Sequence, residues 1–159
     1  ILEWKHLLKP DKYKQIIVDS LRYLVEQKRV KVYAFVIMPN HLHLLWKMEE
    51  PHKREDVQRD FLKYTAQQIK YDLVKNHPLV LDRFNVNAKD RKYQLWERNP
   101  LSIYCYSVAV IEQKLNYIHN NPVQEKWQLT SLPEDYLFYS ARLYCENLDN
   151  FEFLTHYME

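Results

Sequence analysis

Glycine is missing altogether from this chain of 159 residues. Average usage of roughly 7% would supply about 11. The P-loop, the dinucleotide-binding fingerprint and the glycine-rich kinase loop each need backbone that only glycine permits, so nucleotide enzymes of those kinds are not expected. Cysteine is scarce. Cys105 and Cys145 are the two in the chain, too few for a disulfide-dense secreted scaffold, and no C-x-x-C zinc knuckle occurs. A reducing cytoplasm fits that usage best. No apolar run approaches the ~20 residues of a membrane span, so no membrane partner is expected. A signal peptide is not visible either; the chain opens on Ile1 without an initiator Met, as a trimmed segment would. A large excess of one charge is also lacking. With 23 Lys+Arg against 21 Asp+Glu the net charge is +2, too weak to argue for nucleic-acid binding by itself.

What the chain does hold is core material. It is 47% hydrophobic and 14% aromatic, too rich for disorder, and its length suits one domain over 1–159 that buries ~70% of its unfolded surface. Asp11 after Pro10 predicts a helix to about Lys28, with Tyr13, Ile17, Leu21 and Leu24 at helical spacing. Val30 to Met38 reads as a strand, Pro39-Asn40 as a turn, and His41 to Met48 as a second strand antiparallel to the first. A long helix is predicted from about Glu55 to Lys75, with Phe61, Thr65, Ile69 and Leu73 on one face. His77 to Lys92 is polar and irregular, with Asn85, Asn87 and Asp90 supplying turns. Tyr93 to Trp96 reads as a short strand, Ser107 to Asn120 as a helix stopped by Pro122, and Tyr136 to Glu146 as a last helix. There is no repeat and no low-complexity tract. This order predicts an α+β fold with helices on one face of an antiparallel sheet.

Two places carry chemistry. His41 and His43 lie two apart in a strand, so both imidazoles leave one face, while Leu42 and Leu44 point to the other. Such a pair suits one divalent metal, and two surface histidines are the competing reading. In the helix around Tyr117, Val108, Ile111, Leu115 and Ile118 form the apolar stripe. At about 100° per residue, Tyr117 lies at about 180° from Val108, Asn121 near 220° and Lys114 near 240°. A packing tyrosine belongs on the stripe; this one projects away from it, and an exposed or interface tyrosine is the alternative. His119 falls within the stripe and reads as a packing residue.

Met38-Pro-Asn-His-Leu-His-Leu-Leu45, followed by Leu115-Asn-Tyr-Ile-His-Asn-Asn-Pro-Val123, resembles the HUH single-tyrosine transposases. The branch is that of the REP-associated tyrosine transposases and the small insertion-sequence transposases. Pro133-Glu-Asp-Tyr-Leu-Phe-Tyr-Ser-Ala-Arg142 is similar to the C-terminal block of that family. The resemblance runs from about Lys12 to Tyr144. It implies a ferredoxin-like (RRM-like) antiparallel sheet with the histidine strand central, helices on one face, an added C-terminal helix, and a first strand expected upstream of Ile1. It also implies His41, His43 and Asn121 as ligands of Mg²⁺ or Mn²⁺, and Tyr117 as the nucleophile. A single-stranded or hairpin-flanked DNA would be cut and rejoined through a 5′-phosphotyrosine, by a monomer or a homodimer. Arg59, Lys63, Lys70 and Lys114, with Arg91, Lys92 and Arg98, are candidate phosphate contacts; a solvated charged surface is the competing reading. Trp46 is assigned by alternation to the face of His41 and His43, where it could stack on a base, with core or interface packing as the favoured reading. Trp96 and Trp127 are assigned to the core. Two other functions remain open: a domesticated hairpin-DNA-binding protein that no longer cuts, and a metal-dependent nuclease that uses water.

Overall fold

The β-branched and aromatic run that starts at Val30 forms β1 (Val30–Ile37), and the residues after Pro39-Asn40 form β2 (Leu42–Met48). The two pair antiparallel, from Val30 opposite Met48 to Ile37 opposite Leu42. In this computed structural model, which describes residues 1–127, 129 and 136–159, that pair organises the packing on both sides. Between Val32 and Ala34 the register slips, so Tyr33 is the extra residue of a β-bulge. The bulge changes the parity of β1. Val30 and Val32 before it, and Phe35 and Ile37 after it, all enter the larger core with Leu42, Leu44 and Trp46. Ala34, Val36 and Met38 enter a second core on the other side.

The larger core is covered by α1 (Asp11–Glu26) and α2 (Arg54–Asn76). Tyr13, Ile17, Leu21 and Leu24 are buried from α1, and Val57, Phe61, Thr65, Ile69 and Leu73 from α2, as the helical spacing predicts. Pro10 in extended conformation takes the N-cap position of α1, so Asp11 is its first residue and not its cap. There its carboxylate favours the helix N-terminus and pairs with Lys14 at 2.7 Å. At the other end Lys28 takes a left-handed φ of 53°. Its N–H bonds to the Val25 carbonyl and that of Arg29 to the Leu24 carbonyl, the closure that glycine usually allows.

The region expected to be irregular is partly ordered. It holds α3 (Pro78–Asp82), β3 (Asn85–Ala88) and β4 (Arg91–Tyr93), the last two forming a separate antiparallel pair. The strand expected at Tyr93–Trp96 therefore ends at Tyr93. Asn87, at φ 47°, takes a left-handed conformation without glycine at the register shift inside β3, between Asn85 and Ala88. After a stretch without helix or strand, α4 (Val108–His119) packs on the second core. The last helix is shorter than expected: α5 spans Ala141–Cys145. Pro133, Glu134 and Asp135 of the C-terminal motif lie outside the described residues.

The C-terminal segment instead covers the outer edge of β1. Ser140 Oγ accepts from the Phe35 N–H at 2.9 Å, Ile37 N–H donates to the Phe138 carbonyl at 3.0 Å, and Tyr136 Oη donates to the Ile37 carbonyl at 2.7 Å. The architecture is α+β, with helices on both faces of β1–β2 rather than one. Among the described residues the sheets have two strands each. No described helix is long and apolar enough to cross a membrane.

Leu21 is fully buried while Tyr23, two residues on, is exposed. Leu21→Ala is expected to lower stability in urea by about 2–5 kcal/mol and Tyr23→Ala by less than about 0.5 kcal/mol. Equal losses would contradict the face assigned to α1.

Candidate metal and nucleophile site

The turn between β1 and β2 is held tightly. Met38 N–H donates to the His41 carbonyl at 2.8 Å, and the buried Leu8 donates its N–H to the Pro39 carbonyl at 2.8 Å. His41 is thereby fixed at the start of β2. His43 follows on the same face, and the two ring centroids are 4.8 Å apart. Leu42 and Leu44 pack on the opposite side, as period-two alternation requires.

Across this face lies α4. Ser107 caps it by accepting from the Val110 N–H at 3.3 Å. Leu115 and Ile118 are buried in the second core, with Ile111 partly covered. Val108 does not belong to that stripe: it is 60% exposed. Tyr117 projects away from the buried positions, is 51% exposed, and meets the His43 ring edge-on at 5.0 Å between centroids. Just beyond the helix, Asn121 is 2% exposed. The structure thus brings together His41, His43, Tyr117 and Asn121.

Both imidazoles are held neutral. Burial, then the neighbouring His43 charge, lowers the His41 pKa to about 4, against an opposing contribution from the nearby Asn121 side chain. His43 is lowered by burial and by the Lys114 ammonium. Lys126 adds a further positive contribution at His41. The local field therefore favours an anion such as a phosphate. Neutral imidazoles are also the form that binds a metal.

Asn121 gives the test of fit for a cation. Its Oδ1 is buried and has no hydrogen-bond donor, a costly state for a carbonyl oxygen. That amide is nonetheless close enough to His41 to favour the protonated ring. A divalent ion held by the two imidazoles and this oxygen would satisfy it. No cluster of three His, Cys, Asp or Glu side chains suited to a metal occurs among the described residues; here the third donor is an amide. Two imidazole nitrogens and an amide oxygen are a donor set that suits a divalent cation.

Other assignments change. Trp46 is even-numbered in a strand whose histidines are odd, so it shares the face of Leu42 and Leu44 and packs edge-on against Phe61 at 5.9 Å. It is a packing residue. Arg59, Lys63 and Lys70 sit on α2, across the sheet from the histidines, and Arg59 is paired with Asp56 at 2.8 Å and Asp60 at 3.4 Å. Asp90 pairs with both Arg91 and Arg98. Lys114 is the one basic candidate whose charge is felt at the site. Trp96 packs on the larger core and donates Nε1–H to Thr65 Oγ1 at 3.0 Å, as expected. His119 is indeed a packing residue, against Tyr139 and Tyr144, and burial lowers its pKa to about 4.

Sequence spacing missed three neighbours. Trp127, assigned to the core, also lies 5.5 Å from the His41 ring. Trp4 is 66% exposed and edge-on to His41 at 5.7 Å. Asn40 contacts His41 directly, Oδ1 to Nδ1 at 2.6 Å. Asn40 is adjacent in sequence and carried a signal as a turn residue; Trp4 arrives by a long-range contact with no local signature. The chain matches no protein-family model, no curated protein and no solved structure.

The depressed pKa values set a pH dependence. An unfolded His41 or His119 takes up its proton near pH 6.5 and the folded one near 4. The contribution of the neutral rings to stability is present above about 6.5 and falls away between there and about 4. In an NMR titration the His41 ring is expected to show a midpoint near 4. A midpoint at the ordinary 6.5 would contradict the burial assigned to it.

Proposed function

We propose that this chain is a metal-dependent enzyme that cuts and rejoins single-stranded, hairpin-flanked DNA through Tyr117, in the manner of the HUH single-tyrosine transposases. The observation that carries this reading is the convergence of a half-exposed tyrosine, two neutral imidazoles and a buried orphan amide oxygen on one side of β1–β2. The fold implied is a ferredoxin-like sheet with β2 in its interior, of which the β1–β2 hairpin, α1, α2 and α4 form part.

His41, His43 and Asn121 would hold Mg²⁺ or Mn²⁺, which supplies Lewis-acid polarisation of the scissile phosphate. Tyr117 Oη attacks phosphorus. The Tyr117 O–P bond forms, the P–O3′ bond breaks, and the electron pair leaves with the 3′ oxygen. The phenol proton passes to solvent, to which the ring is half open, and the departing oxygen takes a proton from water. The phosphoester is conserved in the tyrosine link, so a second 3′-OH can attack it and reseal a strand without ATP. Lys114, three residues before Tyr117 on α4 and near enough to lower the His43 pKa, would bind the strand phosphate.

Purified protein incubated with labelled single-stranded hairpin DNAs and Mn²⁺ is expected to give a denaturation-resistant protein–DNA species. Chelation of the metal and Tyr117→Phe should each abolish it, the latter without loss of binding. Adducts that persist in Tyr117→Phe would sink the assignment. Shortened DNA without adducts would identify a water-using nuclease, and binding without cleavage of a recognised hairpin a domesticated binder. Lys114→Gln should lower the slope of log K against log salt by about 0.7 for a single strand. Arg59→Gln should leave that slope unchanged, and the reverse pattern would move the strand to α2.

A further inference from the structure

We infer that Asn40 is a positioning residue: it fixes His41 as the Nδ1–H tautomer and so aims the Nε2 lone pair into the site. This rests on the metal-site reading above. Asn40 is 4% exposed, in the stapled turn between β1 and β2. Its Nδ2 donates to the Trp4 carbonyl at 3.0 Å, which determines which end of the amide faces which way. Oδ1 therefore faces His41 Nδ1, at 2.6 Å.

An amide oxygen only accepts, so the ring nitrogen across that short contact must carry the hydrogen. A neutral imidazole has one N–H. With it spent on Asn40, Nε2 is left as a lone pair. The Asn121 oxygen is buried without a donor. One N–H cannot serve two oxygens. The 2.6 Å contact claims it, and Nε2 and Asn121 Oδ1 remain as two electron pairs that a cation can share. A partner on the second ring nitrogen that sets tautomer and orientation is how proteins prepare a histidine for a metal. The turn gives Asn40 the rigidity that this role needs: Leu8 and Met38 hold the backbone on either side of it, and Trp4 holds its side chain.

The test is long-range ¹H–¹⁵N NMR of the metal-free full chain at neutral pH, with a parallel Mn²⁺ titration followed by the EPR signal of the free ion. Wild-type His41 is expected to show a protonated Nδ1 and an unprotonated Nε2. Asn40→Ala should lose that single tautomer and bind Mn²⁺ about 10–100-fold more weakly. Asn40→Asp, which keeps the acceptor, should restore both. The wild-type spectrum alone decides the tautomer should Asn40→Ala fail to fold. An Nε2–H ring in the wild type, wild-type protein that does not bind Mn²⁺, or Asn40→Ala with unchanged tautomer and affinity would overturn the inference. Failure to form a DNA adduct while the NMR and Mn²⁺ results hold would count against the transposase reading and leave the role of Asn40 standing.

Discussion

The antiparallel ladder between β1 and β2 is the constraint on which both cores and the site depend. Its register places Val36 opposite His43 and Ile37 opposite Leu42, which sends Leu42 and Leu44 into one core and the imidazoles, with Leu45, to the other side. The bulge at Tyr33 keeps this arrangement consistent along β1. Without the extra residue, Val30 and Val32 would point to the face opposite Phe35 and Ile37, and apolar side chains would be divided between the wrong layers. A two-stranded ribbon is marginal alone. Here it is buttressed by α1 and α2 on one side, α4 on the other, and the C-terminal segment along the β1 edge.

The chemistry of the site follows from that layering. The imidazoles emerge close to a second core made of Ala34, Val36, Met38, Leu115 and Ile118, and partial burial there keeps them neutral. Lys114 and Lys126 add positive charge to a place already hostile to imidazolium. The result is a cluster of lone pairs beside positive charge. Under the proposed function, those ammoniums would oppose a cation bridged to phosphate less than a bare one, so metal and strand would strengthen each other's binding.

Much of the layout was legible in the chain because its periodic signals are strong. The helical spacing of Tyr13, Ile17, Leu21 and Leu24 and of Phe61, Thr65, Ile69 and Leu73 corresponds to buried faces. His41, His43 and Tyr117 are also visible, since strand alternation and helix angle place them, whereas Asn121, just beyond α4, is singled out as a ligand by the family resemblance. What spacing could not show was set at long range. Helices lie on both sides of the ribbon because α4 crosses to the second core, a choice no single helix encodes. The segment around Asn85 and Asn87 reads as loop because its asparagines mark turns, yet here left-handed Asn87 sits at an irregularity within the short strand β3. Trp46 packs with Leu42 and Leu44, as its even number in β2 requires, and not with the histidines as expected. Trp4 and Trp127 reach His41 from distant parts of the sequence.

The central claim is that His41, His43 and Asn121 converge on one metal beside Tyr117. Pulsed EPR of the Mn²⁺-loaded protein tests it without knowledge of any DNA sequence. Two imidazole nitrogens are expected to couple to a single ion, with one coupling lost in His41→Ala and the other in His43→Ala. A bound ion with no imidazole coupling, or couplings that survive both substitutions, would contradict the account.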